Sequence, residues 1–161
     1  MCLPLLCYDT SEMSCPYFYP SAPRSLPSDP QAAMLPLGDD WDGVCRATPE
    51  QPWLPDAATL RPLCNLGYAR GACSRFPDDG GPDAVRFTVS GDDGATLRLY
   101  YVVERNHHPF AHGPLAFSRA TAGFTVQPES ASLRLQAHAY VESYLRRKPG
   151  ASTGRAASIL V

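Results

Sequence analysis

The sequence predicts an α+β chain. A loop-rich, cysteine- and proline-rich N-terminal lobe with one short helix comes first. A small antiparallel sheet of about four strands, packed by one C-terminal helix, follows. Three observations predict this. Thirteen of the 17 prolines and all six cysteines fall within residues 1–82. Across residues 83–127 apolar and polar side chains alternate with a period of two. From Ala131 onward the period lengthens to that of a helix.

Each element has its own signal. Proline lacks an N–H donor and is excluded from helix interiors and central strands, so "YFYPSAPRSLPSDP" and "ATPEQPWLPD" are expected as loops. A short helix is expected over Leu60–Leu66, with Thr59 as N-cap, Pro62 in the first turn and Gly67 as the stop. Cys64 rides on that helix and Cys73 follows its exit. In "AVRFTVS", Val85, Phe87 and Val89 alternate with Arg86, Thr88 and Ser90. "GDDG" reads as a hairpin turn. In "TLRLYYVVE" the inward face is Leu97, Leu99, Tyr101 and Val103. "GPLAFS" and "GFTVQ" supply two further strands. The C-terminal helix carries an apolar stripe of Leu133, Ala137, Tyr140, Val141, Tyr144 and Leu145, and Pro149-Gly150 end it. Residues 151–161 read as a flexible tail. Only "DDGGPD" separates the halves, so residues 1–150 read as a single domain in two lobes, 1–82 and 83–150.

The 161 residues carry a net charge of −2, so no global basic field points to nucleic acid or an anionic membrane. Of the 14 basic residues only Lys148 is lysine, a skew that fits a GC-rich bacterial genome. The N-terminal "MCLPLLCYDTSEMSCP" lacks a basic n-region, and Pro4 breaks its apolar run, so no secretory signal is read there. No stretch approaches the roughly 20 apolar residues of a membrane span. The expectation is a cytoplasmic protein with no membrane partner, in a compartment where disulfides are uncommon.

The cysteines then need another explanation. A loop-rich lobe buries little apolar surface for each residue ordered, and such regions usually carry a staple. Four thiolates hold either Zn²⁺ or a [4Fe–4S] cluster. The expected ligand set is Cys15, Cys45, Cys64 and Cys73. Cys7 stands in reserve, because Cys2 and Cys7 lie in the terminus expected to fray. None of the four forms the C-x₂₋₄-C knuckle of structural zinc sites, and ferredoxin spacing is absent too. Two details lean towards iron–sulfur. Cys15-Pro16 repeats the Cys-Pro pairing of ferredoxin ligands. Tyr17, Phe18, Tyr19, Trp41 and Trp53 are placed to shield a cluster from water. Against both metals stands the plain alternative that buried cysteines act as small hydrophobes.

"ERNHHPFAH" gathers Glu104 with His107, His108 and His112, a candidate second metal site on what Pro109 marks as a loop. The competing reading is a polar connection with surface histidines. A nucleophilic pair of Cys45 with His112 matches no signature. "LGDDWDG" puts three aspartates around Trp41, where a solvated loop is favoured over an acidic metal site. No G-x-G-x-x-G, P-loop or G-x-S-x-G motif is present, and a non-enzymatic role is favoured. Arg86, Arg98, Tyr100, Arg146 and Arg147 are candidates for a docking face. A protein partner is expected there; nucleic acid is allowed but not favoured. The function expected is that of a small iron–sulfur protein in electron transfer, redox sensing or as an accessory subunit. The alternative is a zinc-stapled protein- or nucleic-acid-interaction module.

Overall fold

The computed structural model describes residues 13–25, 35–66 and 68–148. Cys2, Cys7, Gly67, the Pro149-Gly150 helix stop and the expected tail lie outside them. The elements in chain order are β1 (Phe18–Ser25), β2 (Asp40–Cys45), a helical segment α1 (Ala57–Thr59) continuing as a π-helical stretch (Leu60–Asn65), β3 (Ala84–Asp92), β4 (Thr96–Arg105), β5 (His108–Ser118), β6 (Gly123–Val126) and α2 (Ala131–Arg147). They build two antiparallel sheets: β1-β2, and a four-stranded meander in the order β3-β4-β5-β6. The α+β class and the single C-terminal helix are as the sequence predicts.

The N-terminal half holds more regular structure than its prolines suggest. β1 runs through Pro20 and Pro23, both read as loop residues, because each proline sits at a register shift in the pairing with β2. A two-stranded ribbon has only edges, and at a bulge the missing N–H breaks no ladder bond. The helix begins earlier than expected. Asp56, not Thr59, is the cap, its Oδ1 accepting the Thr59 N–H at 2.8 Å. Pro62 then falls beyond the first turn, inside the widened π stretch, which lacks its donor.

The histidine segment is also strand rather than loop. The chain reverses at Asn106 and His107, whose φ angles of 50° and 60° suit a two-residue hairpin turn. β5 starts at His108 directly opposite Arg105, and Pro109 lies beside the register shift that follows Val103.

The two halves share one continuous core, from Cys15, Phe18, Trp41 and Cys64 to Leu97, Leu99, Leu115 and Val141. The Ser14 backbone bonds Val85 in both directions at 2.8 and 2.9 Å, adding the N-terminal chain to the edge of β3. α2 packs on β1, and Tyr140 stacks against Phe87 of β3 at 5.7 Å. Helix contact on two sides explains why its buried face differs from the expected stripe. Gln136 and Ser143 are fully buried, whereas Leu133, Tyr140, Tyr144 and Leu145 are only partly covered. Among the described residues no helix is long and apolar enough to cross a membrane.

Candidate metal centre

Four separate stretches bring the four cysteines together. Cys15 sits in the turn entering β1, where the Phe18 N–H bonds its carbonyl at 3.2 Å. Its own N–H donates to the Cys64 carbonyl at 3.1 Å, joining two of the thiol-bearing residues by backbone. Cys45 ends β2 and exchanges both backbone bonds with Trp53, at 2.8 and 3.0 Å. Cys64 lies on the π-helical stretch. Beside it the buried Asn65 amide clips that stretch to β2: its Oδ1 accepts the Trp41 N–H, and its Nδ2 donates to the Trp41 and Leu60 carbonyls, at 3.0, 3.0 and 3.1 Å. Cys73 belongs to a loop whose turn is closed by its N–H donating to the Ala69 carbonyl at 2.8 Å.

All four side chains line one enclosed cavity with Tyr17, Ala47, Trp53, Leu63, Ala69, Arg75 and Phe76, around a free volume of about 10 Å³. Cys15, Cys45 and Cys64 are 6%, 9% and 6% exposed, and Cys73 is half-buried. All four are free thiols. Burial pushes the Cys15 thiol well above its usual range; the Tyr17 backbone N–H pulls the other way, and repulsion from Cys64, Cys45 and Cys73 adds to the rise. The Cys64 thiol is pushed up to about 12, first by burial and then by Cys45 and Cys73. In the metal-free protein Cys15 and Cys64 therefore stay protonated at neutral pH. Among the described residues no three Cys, His, Asp or Glu side chains form a group able to hold one metal ion.

Of the aromatic residues expected as a shield, Tyr17 and Trp53 line the cavity. Phe18 and Trp41 serve the core instead, with Trp41 Nε1 donating to the Leu37 carbonyl at 3.2 Å, and Tyr19 lies under Arg46. Sequence reasoning missed Phe76 and Arg75. Phe76 meets Tyr17 edge-on at 5.3 Å, and the Arg75 guanidinium covers the Trp53 ring at 4.4 Å. Their signal was the "SRFP" directly after Cys73.

The histidines do not gather. His107 stacks on Tyr68 at 4.3 Å, His112 Nδ1 meets the Tyr100 hydroxyl, and His108 is exposed. Glu104 faces inward, 1% exposed, and accepts the Tyr68 hydroxyl. Of the aspartates of "LGDDWDG", Asp39 and Asp40 are covered and paired with arginine, whereas Asp42, though paired, stays exposed to solvent. Fully buried Asp39 binds Arg146 and Arg147, Asp40 binds Arg61 at 3.1 Å, and Asp42 binds Arg24 at 3.3 Å. That pairing withdraws Arg146 and Arg147 from the expected docking face. Arg98 and Tyr100 remain exposed on the outer sheet, Arg98 with Asp93 at 3.2 Å. Compared with known proteins, the chain matches no family model, no curated protein and no solved structure.

Proposed function

We propose that this protein binds a [4Fe–4S] cluster through Cys15, Cys45, Cys64 and Cys73, and serves electron transfer or redox sensing, alone or as an accessory subunit of a protein partner in the cytoplasm. One observation carries the reading: four free cysteines from four separate stretches line the same buried cavity. Cysteines acting as small hydrophobes have no reason to share one wall. Four thiolates are the ligand count of a cube. A tetrahedral zinc ion draws its sulfurs to about 3.8 Å from each other, since each Zn–S bond is about 2.3 Å. In a cube each thiolate binds a different iron, so the sulfurs stand further apart.

A free volume of about 10 Å³ is room for about one water, so a cube would have to displace part of the wall. When bound, the cluster supplies one-electron chemistry. The chain's contribution is to exclude water with Tyr17, Trp53 and Phe76. The Tyr17 N–H on the Cys15 sulfur withdraws electron density and favours the reduced state.

The small free volume favours a second reading, a single zinc ion stapling a protein- or nucleic-acid-interaction module. Anaerobic reconstitution with iron(II) and sulfide, followed by metal and sulfide analysis, separates the two. The expected product is brown, with equal iron and sulfide, and Cys15→Ser and Cys64→Ser lose both. A colourless protein holding one zinc establishes the second reading. A chain that takes up neither metal refutes both.

A further inference from the structure

We propose that the outer face of the four-stranded sheet binds single-stranded nucleic acid, with Tyr100 and His112 as a platform on which bases stack and Arg86 and Arg98 on the phosphates. The face uses none of the cavity residues, so the proposal does not rest on the metal reading.

The strand register builds the face. Val85, Phe87, Leu97 and Leu99 are buried on the inner side, where Phe87 stacks against Tyr140 of α2. The alternate residues therefore point away from the helix. Three rows run across the strands on that side. Arg86, Val102 and His112 form one, Thr88, Tyr100 and Pro114 the next, and Arg98, Ala116 and Val126 the third. Thr88, Arg98, Tyr100, His112, Pro114 and Val126 are all exposed.

The chemistry of the rows selects the partner. They hold no carboxylate, and the rows with Arg86 and Arg98 flank the row with Tyr100. The whole chain is net negative, so the attraction for an anion is local to this face. Arg98 pairs with Asp93 at 3.2 Å, but both groups are about half exposed, and such a pair is weak enough to yield to a phosphate. Between the arginines the Tyr100 hydroxyl meets His112 Nδ1, with ring centroids 5.6 Å apart and ring planes tilted by 33°. The bonding direction of that nitrogen lies in the imidazole plane, so the two rings sit edge to edge rather than on top of each other. Their faces are left for planar partners. An acidic peptide would engage the arginines and leave the rings unused, and a duplex hides the faces of its bases. A single strand uses both the charge and the rings.

Fluorescence anisotropy of the full-length chain with labelled oligo(dT), oligo(U) and a duplex, each of about 12 nucleotides, tests this. At about 50 mM salt a single strand is expected to bind with a Kd of about 1–100 µM, and two phosphate contacts should weaken it about sevenfold by about 200 mM. The tighter of the two single strands identifies the sugar. Tyr100→Ala is expected to weaken binding roughly 5- to 150-fold, and Tyr100→Phe, which keeps the ring, much less. Arg98→Ala should flatten the logarithmic salt slope by about 0.7. Leu135→Ala, exposed on α2, should change nothing. Ultraviolet crosslinking of wild type, mapped by mass spectrometry, guards against misfolded variants: the crosslinked peptide is expected to contain Tyr100 or His112. A wild type that binds no oligonucleotide overturns the proposal, as does a duplex that binds as tightly as the single strands. Polyglutamate that competes as well as an oligonucleotide makes the face an acidic-protein site and overturns it too. So does wild-type binding by both Tyr100→Ala and Arg98→Ala.

Discussion

Replacing Gln136 with methionine tests how the C-terminal helix fixes the first cysteine. Gln136 is fully buried on α2. Its Nε2 donates to the carbonyls of Cys15 and Phe18, both at 2.8 Å, and its Oε1 accepts the Ser14 hydroxyl at 3.0 Å. Methionine has nearly the same length and shape, so Gln136→Met removes the bonds without opening a cavity. Two buried carbonyls then lose a donor, at about 1–3 kcal/mol each. The Cys15 carbonyl keeps the Phe18 N–H, and the Ser14 hydroxyl keeps the Val85 carbonyl at 3.3 Å, so the lower part of the range applies. The expected loss is about 2–4 kcal/mol. For a chain of this size that lowers the melting temperature by roughly 5–15 °C. Thermal unfolding by circular dichroism gives the shift, and cluster content after reconstitution gives the effect on Cys15. A Gln136→Met protein with wild-type melting and full cluster content would refute both the hydrogen-bond accounting and the link from helix to thiol.

Three further outcomes follow. The metal-free protein should lose stability as pH rises from about 9, the ordinary thiol value, towards the raised value of Cys64 near 12, because the folded state holds that proton more tightly than the unfolded state. Melting from pH 8 to 10.5 should show this slope in the metal-free form and not in the loaded form, whose thiols carry no proton; a flat metal-free profile contradicts it. Asp39→Asn leaves Arg146 and Arg147 without their buried carboxylate and should cost about 3 kcal/mol in denaturant unfolding, where a change within error argues against a structural role for the pair. Gly38→Ala should destabilise strongly, since Gly38 has φ +87° and its Cβ would lie 2.1 Å from that of Ser143; pairing it with Ser143→Gly should recover only the steric part, and full recovery would show that the backbone angle carries no strain.

The sheet-and-helix half was legible because its signals are local. Val85 and Phe87, and Leu97 and Leu99, obey one period on each strand, and Ser130 caps α2 where the pattern starts, accepting the Leu133 N–H at 3.4 Å. The N-terminal half was not, because proline is read as a breaker and the sequence does not say where a bulge forgives it. Pro20 and Pro23 sit at such points. The sequence offered Cys15, Cys45, Cys64 and Cys73 as a candidate set, but not the cavity they share. That depends on Asn65 and Gln136, two polar residues whose burial is decided by neighbours far away in the chain. Asp39 is the same case in reverse: read as solvated, it is buried because two arginines at the end of α2 reach it. The histidines misled because clustering in sequence is not clustering in space once a hairpin turn sends them along a strand.

The position of the cavity ties its loading to the whole fold. Cys15 lies one residue from the Ser14–Val85 bridge that joins the N-terminal chain to the four-stranded sheet, and its carbonyl is held by α2. The cysteine-rich half is thus not a free-standing metal module. Two of its four cysteines, Cys15 and Cys64, are joined by a backbone hydrogen bond, and through Gln136 and Ser14 that pair is bonded to elements formed by residues 84–147. Anything that spreads or ionises the thiols acts on the same core that seats the sheet and helix. A metal bound by these thiolates would have to displace their protons, and its net binding energy would add to the stability of both halves.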